Sequence, residues 1–359
     1  VMRTLAQAVR ACAPNAAGRT MTAGFDGFVD TLVRPVCRVG TDGQADAYFE
    51  TIADFGAYLC AHAGKSCSVE LAVESVRAGG NLPQIADAAG GLGLDTVCIG
   101  TLGADAPDPL FADVPARLYA FAPPGQSTAL EFRDGKVFLA PRFTLPGDPW
   151  ALAQRAADGQ ADALFARADV CALVNWSELP FAQALWQAVF DHAFADAPAD
   201  KGRYAFFDLC DCARRAPEEI AAVLRLIGRF AGKRTAVLSM NENEAHTVSD
   251  AVLDGERALP AIGKALRARF GIDEVLIHTL RETVLCAARG MVREAARFVE
   301  QPVRSTGAGD HFNGAFCFAS VVGLTGRERV QFANRYVHSY LTHGYGPTLP
   351  ALLAELEAE

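Results

Sequence analysis

The feature that most limits what this chain can fold into is a rhythm. Short apolar runs, DTVCIGTLG (Asp95–Gly103), VCALVN (Val170–Asn175), YAFFD (Tyr204–Asp208), TAVLSM (Thr235–Met240) and EVLIHTL (Glu274–Leu280), alternate with segments such as PEEIAAVLRLIGRFAG, whose apolar residues recur at helical spacing. Strands too apolar to present a wet face need cover on both sides, and strands joined through helices pair most simply in parallel. The predicted fold class is therefore α/β, a three-layer sandwich with a mainly parallel central sheet. Two stretches break the rhythm. STALEFRDGKVFLAPRF (Ser127–Phe143) alternates around Asp134-Gly135, which predicts an antiparallel hairpin. TLVRPVCRV and SVELAVESVR flank a helical AYFETIADFGAYLCAHAG (Ala47–Gly64). These two stretches predict a small β lid, residues 31–78 and 127–143, over a core built from 1–30, 79–126 and 144–359. A lid of that kind excludes water during group transfer.

Charge and cysteine usage remove several function classes. A net charge of -9 with no run of Lys and Arg argues against a nucleic-acid or membrane-surface partner. The ten cysteines lack the paired CxxC couples of a structural zinc site, so reduced, mostly buried thiols are expected. No apolar stretch reaches membrane-spanning length. Residues 1–22 read as an amphipathic first helix rather than a leader, and the expected compartment is the cytoplasm.

The segment RSTGAGDHFNGAF (Arg304–Phe316) carries the most chemistry. A glycine-rich turn that opens a helix exposes unpaired amides, so Gly307, Ala308 and Gly309 can hold developing phosphate charge, while Asp310 in the first turn can accept a proton. Local chemistry leaves open a plainer role, an acid complementing the helix dipole. Asn241 and Glu244, in SMNENEA, have the spacing of a capping box as well as the oxygens that Mg²⁺ prefers. No Walker A pattern is present, so P-loop chemistry is not supported.

Taken together, these motifs resemble the PfkB carbohydrate kinases of the ribokinase-like superfamily, in the family's order and over nearly the whole chain. RSTGAGD is similar to the family's D-T-x-G-A-G-D, with Ser305 taken as a departure at the leading Asp. RAGGNLPQIADAAGGLG (Arg77–Gly93) is similar to its G-G-x-x-x-N stretch, with Gln84 where Asn is common. AGFDGFVDTL (Ala23–Leu32) is similar to its first strand and following acid.

The resemblance implies an anion hole at Gly307, Ala308 and Gly309 with Asp310 as catalytic base. It also implies a hinge at Gly79 and Gly80, and sugar contacts from Asn81 and Asp30, with Asp26 the second candidate. Mg²⁺ would be organised by Asn241 and Glu244. Nucleotide contacts would come from Thr279, from Arg281 where Gly is common, and from Asn334 near adenine; a solvated helix face is the alternative place for Asn334. The implied activity is ATP-dependent phosphorylation of a hydroxyl on a sugar or sugar-like molecule. A non-catalytic sugar- or nucleotide-binding regulator on the same fold is the alternative. A homodimer through the lid is the expected assembly.

Overall fold

Each of the five apolar runs forms a strand, and they lie side by side or one strand apart. The computed structural model describes residues 3–41 and 43–358. Among the described residues the strands are, in chain order, β1 (Thr20–Phe25), β2 (Phe28–Val39), β3 (Ala45–Tyr48), β4 (Leu71–Gly79), β5 (Asp95–Gly100), β6 (Arg117–Ala120), β7 (Gly125–Phe132), β8 (Gly135–Leu139), β9 (Val170–Leu173), β10 (Tyr204–Asp208), β11 (Thr235–Asn241), β12 (Glu274–His278), β13 (Glu282–Ala287) and β14 (Gly290–Ala295). The main sheet has the order β14-β13-β12-β11-β10-β9-β1-β5-β6. It is parallel from β12 to β6 and antiparallel only at β12–β13 and β13–β14.

Alternation along each strand sends neighbouring side chains to opposite faces. On β10, Phe207 packs with Leu173, Leu238 and Ile277 under the helices Pro217–Ala231 and Glu242–Val252. Phe206 packs instead with Ala172, Val237 and Leu276 under Asn81–Gly91 and Ala308–Val321. Two hydrophobic layers therefore sandwich one sheet, and the predicted α/β class is the observed one.

The smaller sheet runs β3-β2-β7-β8, with β4 on the other side of the first half of β2. Asp134 and Gly135 sit at the β7–β8 reversal, as the hairpin pattern predicts. The helical reading of Ala47–Gly64 needs correction at its start: Ala45–Tyr48 is strand, and the helix is Ile52–Ala61. The cause is Thr51, whose side chain accepts from Asp54 N and so sets the N-terminus. The cysteines also depart from expectation. All ten are unpaired, but Cys37, Cys60 and Cys67 are exposed. No helix among the described residues is long and apolar enough to cross a membrane.

Candidate active site

Parallel strands bring their carboxyl ends to one edge, where α/β proteins bind ligands. Five neighbouring strands here end in polar residues: Asp26 follows β1, Asn175 lies just beyond β9, and Asp208, Asn241 and His278 close β10, β11 and β12. Asn175 adopts the left-handed region at φ 55°. The helices Asn81–Gly91 and Ala308–Val321 pack on this sheet and start at the same edge.

Asp26 is fully buried at the start of the first of these helices. Its Oδ2 accepts from Asn81 N at 2.7 Å and Asn175 Nδ2 at 2.7 Å, and its Oδ1 accepts from Leu82 N at 2.8 Å. Burial pushes its carboxyl up to about 6 against the pull of these bonds. Gly80 makes the approach possible, with φ 95° and a Cα whose added methyl would stand 2.6 Å from Asp26 Oδ2. Asp30 lies on β2, opposite Arg77 of β4 and Ser127 of β7. Burial raises its carboxyl too, drawn back by the Ser127 hydroxyl and the Lys136 charge. It faces Gly79, where an added methyl would meet all three carboxylate atoms at 2.2–2.8 Å. The two acids thus differ in kind: Asp26 is pinned under a helix, and Asp30 projects from the small sheet.

The Ala308–Val321 helix opens at Gly307, which caps it in the left-handed conformation at φ 83°. Ala308 N donates to Ser305 O at 3.2 Å. Of the three amides read as the anion hole, that of Ala308 is engaged in this turn. The amides of Gly307 and Gly309 have no partner among the described residues. Asp310 follows in the first turn. Burial, then Asp208, Asp26 and Glu244, hold its carboxyl well above the usual range. Counted back from Asp310, the leading position of D-T-x-G-A-G-D falls on Arg304, which corrects the alignment on Ser305.

The sequence reading missed four residues here. Asp208 accepts from Cys210 N and from Asn313 Nδ2, both at 2.7 Å, and Asn313 Oδ1 accepts from Ser239 Oγ at 2.7 Å. Asn313 stands three residues after Asp310 and so shares its side of the helix. Burial pushes Asp208 up to about 6. Asn175 ties down Asp26. His278 lies against Gly309 and the Phe312 ring, its imidazole pushed down to about 4 by burial. A signal for three of them was available, because each ends or closely follows an apolar run. His311 forms its own bonds, Nδ1 with Gly307 O and Nε2 with Asp87 Oδ2, both at 3.0 Å.

Asn241 and Glu244 form the capping box. Asn241 N and Nδ2 donate to the two Glu244 oxygens at 2.8 and 2.7 Å, and Asn241 Oδ1 accepts from Glu244 N at 3.0 Å. Burial and the neighbouring Asp208 push Glu244 up to about 8. Among the described residues no three His, Cys, Asp or Glu side chains converge into a direct metal cage. Asp208 raises both Glu244 and Asp310, and Glu244 raises Asp310, and crowding of that sort suits a hydrated divalent cation that keeps most of its waters.

Thr279 and Arg281 lie in the turn from β12 to β13, where Thr279 Oγ1 accepts from Arg281 N and Glu282 N at 3.0 Å. The Arg281 guanidinium lies 4.9 Å over the Phe298 ring. Asn334 is buried, against the solvated-face alternative. Its Oδ1 accepts from Thr283 Oγ1 at 2.8 Å, and its Nδ2 is a buried donor without a partner among the described residues.

Residues 2–358 match the family model described as prokaryotic ketohexokinase. The chain belongs to the prokaryotic ketohexokinase family. It is a PfkB-type carbohydrate kinase, a phosphotransferase with an alcohol group as acceptor. Among relatives of this ketohexokinase-family chain, the ketohexokinase of Haloferax volcanii is 25% identical over 343 residues, covering 92% of this chain and 89% of that protein. The fold is that of Thermotoga maritima ribokinase, at a TM-score of 0.63 and 15% identity over 95% of this chain and 99% of that one. Arabidopsis thaliana ribokinase complexed with ribose and ATP aligns at a TM-score of 0.58 and 17% identity, over 94% and 98% of the two chains.

Proposed function

We propose that this family member transfers the γ-phosphoryl group of ATP to a hydroxyl of a ketohexose, with Mg²⁺ as cofactor. The observation that carries the reading is Asp310 in the first turn of a helix capped by left-handed Gly307, with Asp208, Asp26 and Glu244 around it. Asp30, Asp26 and Asn81 orient the sugar as the small sheet closes over it. The acceptor oxygen attacks the γ-phosphorus, its proton passes to an Asp310 carboxylate oxygen, and the bond to the departing ADP oxygen breaks. The Gly307 and Gly309 amides face the phosphoryl oxygens, where charge develops. Asn241 and Glu244 would hold Mg²⁺, which would supply positive charge to those oxygens and relieve the crowding that raises the Asp310 carboxyl. Asn334, with its buried donor, and the Thr279–Arg281 turn serve the nucleotide.

The ketohexose assignment rests on the Haloferax volcanii relative and the family model. β4 pairs with β2 alone and exposes Leu71, Val73 and Val76, which supports a homodimer through that free edge. Sedimentation as a monomer at micromolar concentration would refute the dimer. The catalytic reading is tested by ADP release from ATP and Mg²⁺ across ketohexoses, aldoses, pentoses and nucleosides. Turnover should be highest with a ketohexose and fall by about 10² to 10⁴ in Asp310→Asn. A variant turning over at the parent rate removes Asp310 from the mechanism.

A further inference from the structure

Two positions that depart from the PfkB pattern, Gln84 and Arg304, meet in the structure although 220 residues separate them. Arg304 Nη2 approaches Gln84 Oε1 at 3.5 Å, a long contact. The same Oε1 stands 2.8 Å from where a methyl on Gly307 would be, with Gln84 Cδ and Cγ at 3.2 and 3.3 Å. The Gln84 amide therefore lies flat on the glycine that caps the Asp310 helix. Arg304 is half-buried, its Nε is a buried donor without a partner among the described residues, and its guanidinium lies 5.7 Å from the Tyr340 ring centre. Tyr340 holds the same turn from the other side, donating its hydroxyl to Thr306 O at 2.6 Å and stacking on His311 at 3.9 Å.

One turn further along the Asn81–Gly91 helix, Asp87 Oδ2 meets His311 Nε2 at 3.0 Å. Gln84 and Asp87 are three residues apart and so face the same neighbour. They form a polar seam between the helix whose first amides hold Asp26 and the helix whose first turn holds Asp310. The largest influences on Asp310 are burial and three carboxylates. The place of Arg304 is mechanical.

We infer that Gln84 and Arg304 are paired positioning residues, a latch that fixes the Arg304–Gly307 turn against the sugar-side helix and so sets the distance between acceptor and phosphoryl group. The inference rests on the kinase reading above. A latch of this kind acts on the transition-state geometry, so its loss lowers kcat while leaving ground-state binding of either substrate nearly intact.

The test is a double-mutant cycle of Gln84→Ala, Arg304→Met and the pair, with kcat and both KM values measured beside melting temperatures. Each single variant should lose roughly 10- to 100-fold in kcat with KM values within about threefold. The pair should be no worse than the poorer single, because the second change finds the latch already open. Arg304→Lys, which keeps a donor on the same side, should recover at least part of the loss and provides the comparison if the Met variant does not fold. Multiplicative losses in the double variant, a single variant with unchanged kcat, or losses confined to KM each overturn the latch. Turnover by the unsubstituted chain upholds the kinase reading whatever the cycle shows, whereas its complete absence across sugars and donors overturns both.

Discussion

Replacing Gly79 by Ala tests the sugar site most directly, because the group nearest to the new methyl would be the Asp30 carboxyl. It would stand 2.2 Å from Asp30 Oδ2, 2.5 Å from Cγ and 2.8 Å from Oδ1. Ordinary contact begins near 3.4 Å, so the carboxyl must retreat by roughly 1 Å. The backbone is not the obstacle, since Gly79 does not use the left-handed region. Nor is Asp30 tied to a helix terminus as Asp26 is, so its side chain can yield without unpairing β2 from β4. A misplacement of about 1 Å at a reacting centre costs on the order of 10² in rate. The expected result is a fall of about that size in kcat/KM for the sugar, with the KM for ATP and the melting temperature nearly unchanged. Steady-state kinetics with each substrate varied in turn, beside a thermal melt, gives all of these. Unchanged sugar kinetics would refute the role of Asp30, and a collapsed melting temperature would show that Gly79 matters to folding instead. Gly80→Ala is the matched contrast. There φ is 95° and the methyl meets Asp26, which three hydrogen bonds prevent from moving, so a stability loss of about 1–3 kcal/mol is expected.

Two further outcomes follow from the packing and charge of the site. A carboxyl whose folded pKa lies above its unfolded value binds its proton more tightly when folded, so stability falls as pH rises through that window. Between pH 6.5 and 7.5, below the range where free thiols ionise, the effect rests on Glu244, pushed up to about 8, and on Asp310, so the metal-free protein should melt at lower temperature at pH 7.5 than at 6.5. Each proton contributes at most about 1.4 kcal/mol per pH unit, and Mg²⁺ should flatten the slope; a melting temperature that rises over this range contradicts the crowding. Gly314→Ala would place a methyl 2.6 Å from both Ala88 Cβ and Ile85 O, wedging the two site helices apart, and should cost about 1–3 kcal/mol by urea denaturation. Wild-type stability there would mean that the helices can separate freely.

The main sheet was legible because burial on both faces leaves strands apolar end to end, a pattern that local sequence carries without tertiary help. The polar residue ending each run was equally visible, yet Asn175, Asp208 and His278 gain meaning only once parallel pairing puts their ends on one edge. Asn313 was out of reach, since its partners Ser239 and Asp208 lie on two other strands. The first-strand acids show another limit. The family resemblance favoured Asp30, but only the fold reveals that Asp26 is the acid buried under the helix, with Asp30 on the strand that leads away. Asn334 could be read as wet or dry until the neighbouring Thr283 was placed beside it.

Asp26 also gives the cleft a direction. The helices Asn81–Gly91 and Ala308–Val321 both aim their positive ends at the same edge of the sheet, and either could in principle attract a phosphate. The Asn81–Gly91 terminus carries its own anion, with Asn81 N and Leu82 N already committed to the Asp26 carboxylate. Of these two termini, the one at Gly307 and Gly309 keeps amides without a partner among the described residues, and the other presents an acid to an incoming polyanion. On the proposed reading the two substrates therefore cannot exchange places, and the line of transfer is set before either one arrives.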